Sequence, residues 1–300
     1  MVIDFHTHIF PAAIRKARQD YFDGEPAFEL LYQSPRARLA GAGQLIAAMD
    51  EQGVDVSVVF GFPWRNADIF RMHNDYIIEA VRRYPQRLVG LACLDTASPA
   101  AAAEIERCLD AGLAGMGELA FYESGIDAAC LRQLAPLMAI CRRRGALALI
   151  HTNEPVGHRY PGKSPNTLRQ IYRLANTFHD NTLVLAHWGG GLFFYNLLKK
   201  EVRECLRNVY FDTAASPYLY DAMVYRIAAD TVGAGKVLLG TDFPLLQAGR
   251  YFNEMRAAGI AQADRKAICG GSAASLLAAG GWLPPPQGGD RAQQSVSDHR

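Results

Sequence analysis

One pattern limits the choice of fold more than any other. Short apolar, β-rich runs alternate with helical stretches from one end of the chain to the other. The runs are 2–8 (VIDFHTH), 54–61 (VDVSVVFG), 88–95 (LVGLACLD), 114–121 (AGMGELAF), 146–153 (ALALIHTN), 182–189 (TLVLAHWG), 209–214 (VYFDTA) and 237–244 (VLLGTDFP). They are apolar on both faces, like strands of a parallel sheet covered by helices. Helical patterns lie between them at 73–84, 99–112, 131–144, 167–178 and 192–206. Eight strand–helix units in about 250 residues is the arithmetic of a (β/α)8 TIM barrel. A doubly wound α/β sheet is the alternative, but no G-x-G-x-x-G follows the first run.

The barrel takes up residues 1–283 as one domain, and two segments depart from the repeat. Residues 9–43 make a long excursion before the first barrel helix; a connection of that length is expected to be a lid or binding loop. Residues 284–300, rich in Pro, Gly, Gln and Ser, are expected to be disordered. Half of the 300 residues are apolar, enough for a large core. The net charge of +1, with no basic run, argues against nucleic acid and against an electrostatic membrane anchor. The apolar runs are strand-sized, so no transmembrane helix is expected, and the N-terminus does not read as an export signal. Cys93, Cys108, Cys130, Cys141, Cys205 and Cys269 are dispersed without a C-x-x-C pair. Reduced thiols in a cytoplasmic protein are expected. The expected partner is a small-molecule substrate, and a homo-oligomer is compatible with the sequence.

Barrel sites gather at the C-terminal ends of the strands. The first run ends in His6-Thr7-His8, and alternation sends both imidazoles to one face. The fourth carries Glu118, the fifth His151, the sixth His187 and the eighth Asp242. Imidazoles and carboxylates together suit Zn²⁺, Mn²⁺ or Fe²⁺. A bound divalent ion lowers the pKa of its water to roughly 7, and an adjacent carboxylate takes the proton. Asp4 either orients an imidazole or pairs locally. Gly189-Gly190-Gly191 either cradle an anion or form a tight turn. Trp64 and Arg65, in FPWRNAD after the second run, and Trp188 after the sixth are candidate substrate contacts, by stacking or by a guanidinium fork. His158 and Arg159, in the loop after the fifth run, are remoter candidates of the same kind, with an exposed loop as the alternative; Tyr218 and Tyr220, after the seventh, either line the pocket or pack as aromatics. His73 and His179 read as helix surface and His299 as tail.

The H-x-H after the first strand, the His after the fifth, the H-x-G-G after the sixth and the T-D-x-P after the eighth resemble the amidohydrolase superfamily. With EAVRRYPQRLVGLACLD, the likeness covers roughly residues 1–280 and is nearest the amidohydrolase 2 branch, which also holds aminocarboxymuconate-semialdehyde decarboxylase. The resemblance implies that His6, His8, His151 and Asp242 are metal ligands. It makes His187 a catalytic histidine that need not touch the metal. Glu118 departs from the decarboxylase pattern; metal-dependent deoxyribonucleases of the superfamily place a bridging Glu after strand four. Glu118 is therefore expected to add a ligand or support a second ion, and hydrolysis is the expected activity. One or two divalent ions per chain, Zn²⁺ first and Mn²⁺ or Fe²⁺ as alternatives, would activate water to cleave an ester, lactone or amide. Asp242 would carry the proton and His187 would hold the substrate carbonyl. The alternative is non-oxidative decarboxylation of an unsaturated or aromatic acid, with His187 protonating the product.

Overall fold

Eight parallel strands pair in chain order: β1 (Ile3–His8), β2 (Val56–Phe60), β3 (Leu88–Ala92), β4 (Gly115–Leu119), β5 (Leu147–Ile150), β6 (Thr182–Leu185), β7 (Val209–Asp212) and β8 (Val237–Leu238). The computed structural model describes residues 1–283; the tail expected to be disordered lies outside the described residues. Backbone bonds close the sheet between the stretch after β8 and β1. Phe5 N–H donates to Leu239 O (2.6 Å), His8 N–H to Phe243 O (2.8 Å) and Asp242 N–H to His6 O (3.0 Å). The architecture is the (β/α)8 TIM barrel that the repeat predicts.

The strands are buried along almost their whole length, which their uniformly apolar runs require. Ile3, Phe5, Val58, Phe60, Leu149 and Val184 belong to one apolar cluster, which also takes in Leu276 and Leu277 from the last helix. A larger cluster joins the strands to the surrounding helices. Each fully buried aliphatic or Phe side chain there contributes about 1.5–3 kcal/mol.

The helices are α1 (Ala12–Lys16), α2 (Pro26–Tyr32), α3 (Ala42–Gln52), α4 (Ala67–Arg83), α5 (Ala101–Asp110), α6 (Ala128–Arg144), α7 (Leu168–Thr177), α8 (Lys200–Cys205), α9 (Ser216–Leu219), α10 (Met223–Val232), α11 (Ala248–Ala257), α12 (Gln262–Lys266) and α13 (Ser272–Ala279). Their starts follow local chemistry. Asn66 caps α4 by accepting from Asp68 and Ile69 N–H, Asp127 caps α6 through Cys130 N–H, and Thr167 with Gln170 closes a capping box on α7. No helix among the described residues is long and apolar enough to cross a membrane. All six cysteines are free thiols.

The excursion at 9–43 folds as α1, a 3₁₀ turn (Arg18–Tyr21) and α2. It is fastened to the barrel by Glu25, whose buried carboxylate accepts Arg65 N–H (3.0 Å) and Asn66 N–H (2.8 Å) at the start of α4. Two sequence expectations fail in the helical layer. The stretch 192–206 is not one helix. A 3₁₀ segment (His187–Leu197) gives way to α8 at Leu198, which is extended. Nor is His73 on a surface. It lies on the buried face of α4 with Phe70, Asn74, Ile77 and Ile78. Its Nε2–H donates to Ile9 O (2.7 Å), and its Nδ1 accepts from the Trp64 indole (2.9 Å).

Candidate active site

The six residues from five strand ends meet around one carboxylate, that of Glu118. Glu118 Oε2 lies 3.6 Å from both His6 Nε2 and His8 Nε2. Its Oε1 lies 2.9 Å from His151 Nδ1 and 3.5 Å from His187 Nε2. Asp242 Oδ1 completes the first side, 3.7 Å from His6 Nε2 and 3.5 Å from His8 Nε2. Glu118 is 5% exposed and has no arginine partner among the described residues, so a core ion pair does not account for it there. Its strand admits no side chain at the preceding position: a Cβ on Gly117 would lie 2.5 Å from Leu149 O.

Each imidazole uses its other nitrogen to donate outward. His6 Nδ1 faces Asp212 Oδ2 (2.9 Å), His8 Nδ1 faces Gly61 O (3.1 Å) and His187 Nδ1 faces Ala214 O (2.9 Å). His151 Nε2 faces Gly162 O (2.9 Å). A carbonyl only accepts, so the nitrogen facing it carries the proton. The nitrogen turned toward Glu118 is then a lone pair in all four neutral rings. Four lone pairs and two carboxylates converge without a donor among them, and His6 Nε2 is buried with no hydrogen-bond partner among the described residues. Such a set requires cations.

The spacing also fits an ion. Neighbouring donors of a tetrahedron lie about 3.4 Å apart when the metal–ligand distance is about 2.1 Å. The separations of 3.5–3.7 Å that His6 and His8 make with Glu118 and Asp242 are near that edge, and the sets whose donor atoms all lie within 4.8 Å of one another are His6–His8–Glu118, His6–His187–Asp242 and Glu118–His151–His187. The donor set is that of a divalent-metal site. Without a metal, protons take its place. Burial opposes charge on His6, but Asp212 and Glu118 raise it to about 10. Burial pushes Glu118 upward, yet His6 and His151 hold it well below the usual carboxylate range. Burial is likewise overcome at Asp242, which His8 and His6 hold at about 2.

The sequence reading missed Asp212. It is fully buried, and its Oδ1 accepts His187 N–H (2.9 Å) and Ala214 N–H (3.0 Å) while Oδ2 holds His6. The signal was a carboxylate ending the apolar run VYFDTA, the argument already applied to Asp242. Asp4 pairs locally instead, with Thr241 Oγ1 (2.5 Å) and Thr241 N–H (3.0 Å). The glycine run forms a tight turn: Gly189, Gly190 and Gly191 have φ of 63°, 62° and 95°, and a Cβ on Gly190 would lie 2.4 Å from Asn153 O.

The three candidate substrate contacts separate. Trp64 presents no accessible surface: it packs 4.3 Å from Phe28 and donates to His73. Trp188 is also fully buried and donates to Ser216 Oγ (2.9 Å). Both are core residues, drawn inward because each indole N–H finds a buried acceptor. Arg65 remains at the surface, paired with Glu123. It lines a cavity of about 590 Å³ with Glu25, Leu30, Asp95, Leu119 and Tyr122. The cavity adjoins the cluster: Leu119 follows Glu118, and the Tyr122 ring lies 5.4 Å from that of His151. Glu25, Pro26, Ala27 and Leu30, all from the excursion, line this cavity, and burial raises the Tyr32 hydroxyl. His158, Arg159 and Tyr218 are exposed, and Tyr220 is half-buried.

A family model described as amidohydrolase matches residues 3–278. The 2-amino-3-carboxymuconate-6-semialdehyde decarboxylase of Dictyostelium discoideum is 24% identical, over 92% of this chain and 91% of its own. The solved 5-carboxyvanillate decarboxylase of Sphingomonas paucimobilis superposes with a TM-score of 0.71 at 19% identity, covering 92% of this chain and 98% of its own. A dihydroxybenzoic acid decarboxylase from Polaromonas sp. JS666, solved with manganese and 2-nitroresorcinol, gives 0.68 at 19% identity, with 92% and 96% covered. All three named relatives are decarboxylases. They overturn the expectation of ester, lactone or amide hydrolysis, which rested on Glu118: an extra carboxylate alters the donor set without choosing the bond that breaks.

Proposed function

The chain belongs to the amidohydrolase family, matched from residue 3 to residue 278, and from that premise we propose that it is a metal-dependent, non-oxidative decarboxylase of a small aromatic or unsaturated carboxylic acid. The observation that carries the proposal is the cluster of His6, His8, Glu118, His151, His187 and Asp242, whose donor atoms form groups that could hold a metal ion, in a chain whose named relatives are decarboxylases.

A divalent ion held there supplies positive charge that anchors an anionic acid and stabilises electron density as the carboxylate leaves. The protein's own residues do the rest. Arg65, on the cavity wall, offers a guanidinium fork to an approaching anion. His187 is the proton carrier in its protonated form, with the second proton on Nε2, a form that burial opposes and that Glu118 and Asp242 nevertheless favour. Its ring is fixed by the Ala214 carbonyl, and its Nε2 shares a cluster with Asp242 whose donor atoms lie within 4.8 Å of one another. The carbon–carbon bond breaks, its electron pair stays on the ring or vinyl carbon, and carbon dioxide leaves. The His187 proton then forms the new C–H bond. Asp242, whose side chain is 18% exposed, returns a proton to His187 from solvent. The excursion, whose Glu25 and Leu30 line the cavity, limits water around the developing carbanion.

The test is a panel of hydroxybenzoic, vanillic-type and dienoic acids, assayed for carbon dioxide with protein loaded with Mn²⁺ or Zn²⁺ and with chelated protein. Release from at least one acid, abolished by chelation and by His187→Asn, is expected. Metal-loaded protein that releases no carbon dioxide from any acid contradicts the proposal.

A further inference from the structure

We propose that Asp95 and Glu123 make the cavity beside Arg65 a charge filter, which admits acids with a single carboxylate and rejects those that carry a second. The inference rests on the decarboxylase reading and deepens it by narrowing the class of substrate. The cavity is distinct from the histidine cluster: none of the six cluster residues lines it. Its volume of about 590 Å³ lies in the range of small-molecule pockets, about 300–1,000 Å³. It starts where the cluster ends, at Leu119 and at Tyr122, whose ring lies 5.4 Å from that of His151. An acid whose reacting carboxylate sits at the cluster therefore extends its far substituents into this space.

The charges of the wall are lopsided. Among the described residues that line it, Glu25, Asp95, Glu123 and Asp127 are set against one cation, Arg65. Arg65 is paired with Glu123, and no other carboxylate of the wall holds an ion pair among the described residues. Glu25 accepts the Arg65 and Asn66 N–H groups, and Asp127 accepts the Cys130 N–H that it caps. Asp95 is half-buried, and its Oδ1 accepts Ala97 N–H (2.9 Å). The excess of negative charge acts within the wall itself: burial raises Glu25, and Asp95 adds to the rise against two backbone N–H groups and the Arg65 charge. A second substrate carboxylate in this space would lose water, would have to take Arg65 from Glu123, and would stand near Asp95 with no free cation between them. The rest of the wall offers little in return. Leu94, Leu119 and Phe121 are apolar, and the Thr96 hydroxyl donates to Gln133 Oε1 (3.5 Å). A neutral substituent of the same shape meets none of this opposition. The reacting carboxylate escapes it because Arg65 passes that group on to the cluster and keeps Glu123 as its resting partner.

The test uses the Mn²⁺-loaded full chain and the best monocarboxylic substrate of the panel. Analogues of that acid carry, at each open position, either a second carboxylate or its neutral isostere, a carboxamide. The kcat/KM values of the two are compared at the position where the carboxamide is accepted best. The carboxylate analogue should be poorer by about tenfold or more, the scale on which opposed like charges discriminate between partners. Asp95→Asn combined with Glu123→Gln removes both charges and keeps the side-chain shapes, and it should recover most of that loss. The ratio compares two substrates in one enzyme, so a general fall in activity cancels. A carboxylate analogue as good as the carboxamide, a carboxamide refused at every position, or a ratio unmoved by the double substitution refutes the filter and leaves the decarboxylase reading standing. No carbon dioxide from any acid overturns both. If the double variant does not fold by circular dichroism, the salt dependence of the wild-type ratio decides: exclusion by charge weakens from low to high KCl, and a ratio independent of KCl refutes the proposal.

Discussion

Asp212→Asn should weaken metal binding at the cluster without unfolding the barrel. Asp212 Oδ2 accepts the Nδ1 proton of His6 at 2.9 Å, and that bond turns the Nε2 lone pair toward Glu118 and Asp242. An asparagine can keep its oxygen on the His187 and Ala214 N–H groups, where Oδ1 now sits. Its amide nitrogen then faces His6 Nδ1 as a donor. The ring must answer by moving its proton to Nε2, which points it into the metal position. His6 is fully buried and its Nε2 has no other partner among the described residues, so no alternative orientation recovers the ligand. Losing a carboxylate that orients a ligating histidine costs about 10–100-fold in metal affinity, which corresponds to about 1.4–2.7 kcal/mol. Calorimetric titration of Mn²⁺ into wild type and variant, with thermal melts of both metal-free forms, measures this. An Asn variant that folds and binds Mn²⁺ as tightly as wild type would refute the claim that Asp212 sets the His6 tautomer.

Three further outcomes are expected. Metal-free His6 is raised to about 10, so an ion must displace its proton at any lower pH; Mn²⁺ affinity should rise by up to about tenfold per pH unit up to that value, and pH-independent affinity would contradict it. His73 is held neutral, with burial lowering it to about 4; the unfolded chain takes up a proton below about 6.5, so stability contributed by His73 is full above that pH and falls by about 3 kcal/mol on the way down to pH 4. Urea unfolding of wild type against His73→Gln should show that part of the slope only in the wild type. Gly190→Ala forces a side chain into a φ of 62° and within 2.4 Å of Asn153 O; it should destabilise by about 1–3 kcal/mol or more and lower kcat by displacing His187, as melts and steady-state kinetics would record.

The fold was legible because a parallel barrel writes itself as repeated apolar runs, and each of the eight runs contains a strand. The cluster was legible because chemistry-bearing residues at the ends of such runs have no other reason to be there. Orientation was harder to read. Trp64 and His73 each looked like surface or loop residues, yet they satisfy one another in the core. The i, i+3, i+4 spacing of Phe70, His73, Asn74 and Ile77 would have placed His73 on the buried face of α4. Trp188 was misread because its indole partner, Ser216, lies 28 residues away. The break at Leu198 has no sequence mark, since LFFYNLLKKEVRECL holds no Pro or Gly. The partition of Glu118 between two histidine pairs is a matter of side-chain geometry that no spacing encodes. The choice between breaking C–O or C–N bonds and breaking a C–C bond was misjudged because the same donors serve both chemistries.

The most direct test of the account is decarboxylation in D₂O by metal-loaded protein, followed by NMR. The account predicts one carbon dioxide per acid consumed and one deuterium at the carbon that carried the carboxylate, with both lost together in His187→Asn. Acid consumed without carbon dioxide, or carbon dioxide released at the wild-type rate by His187→Asn, would contradict it.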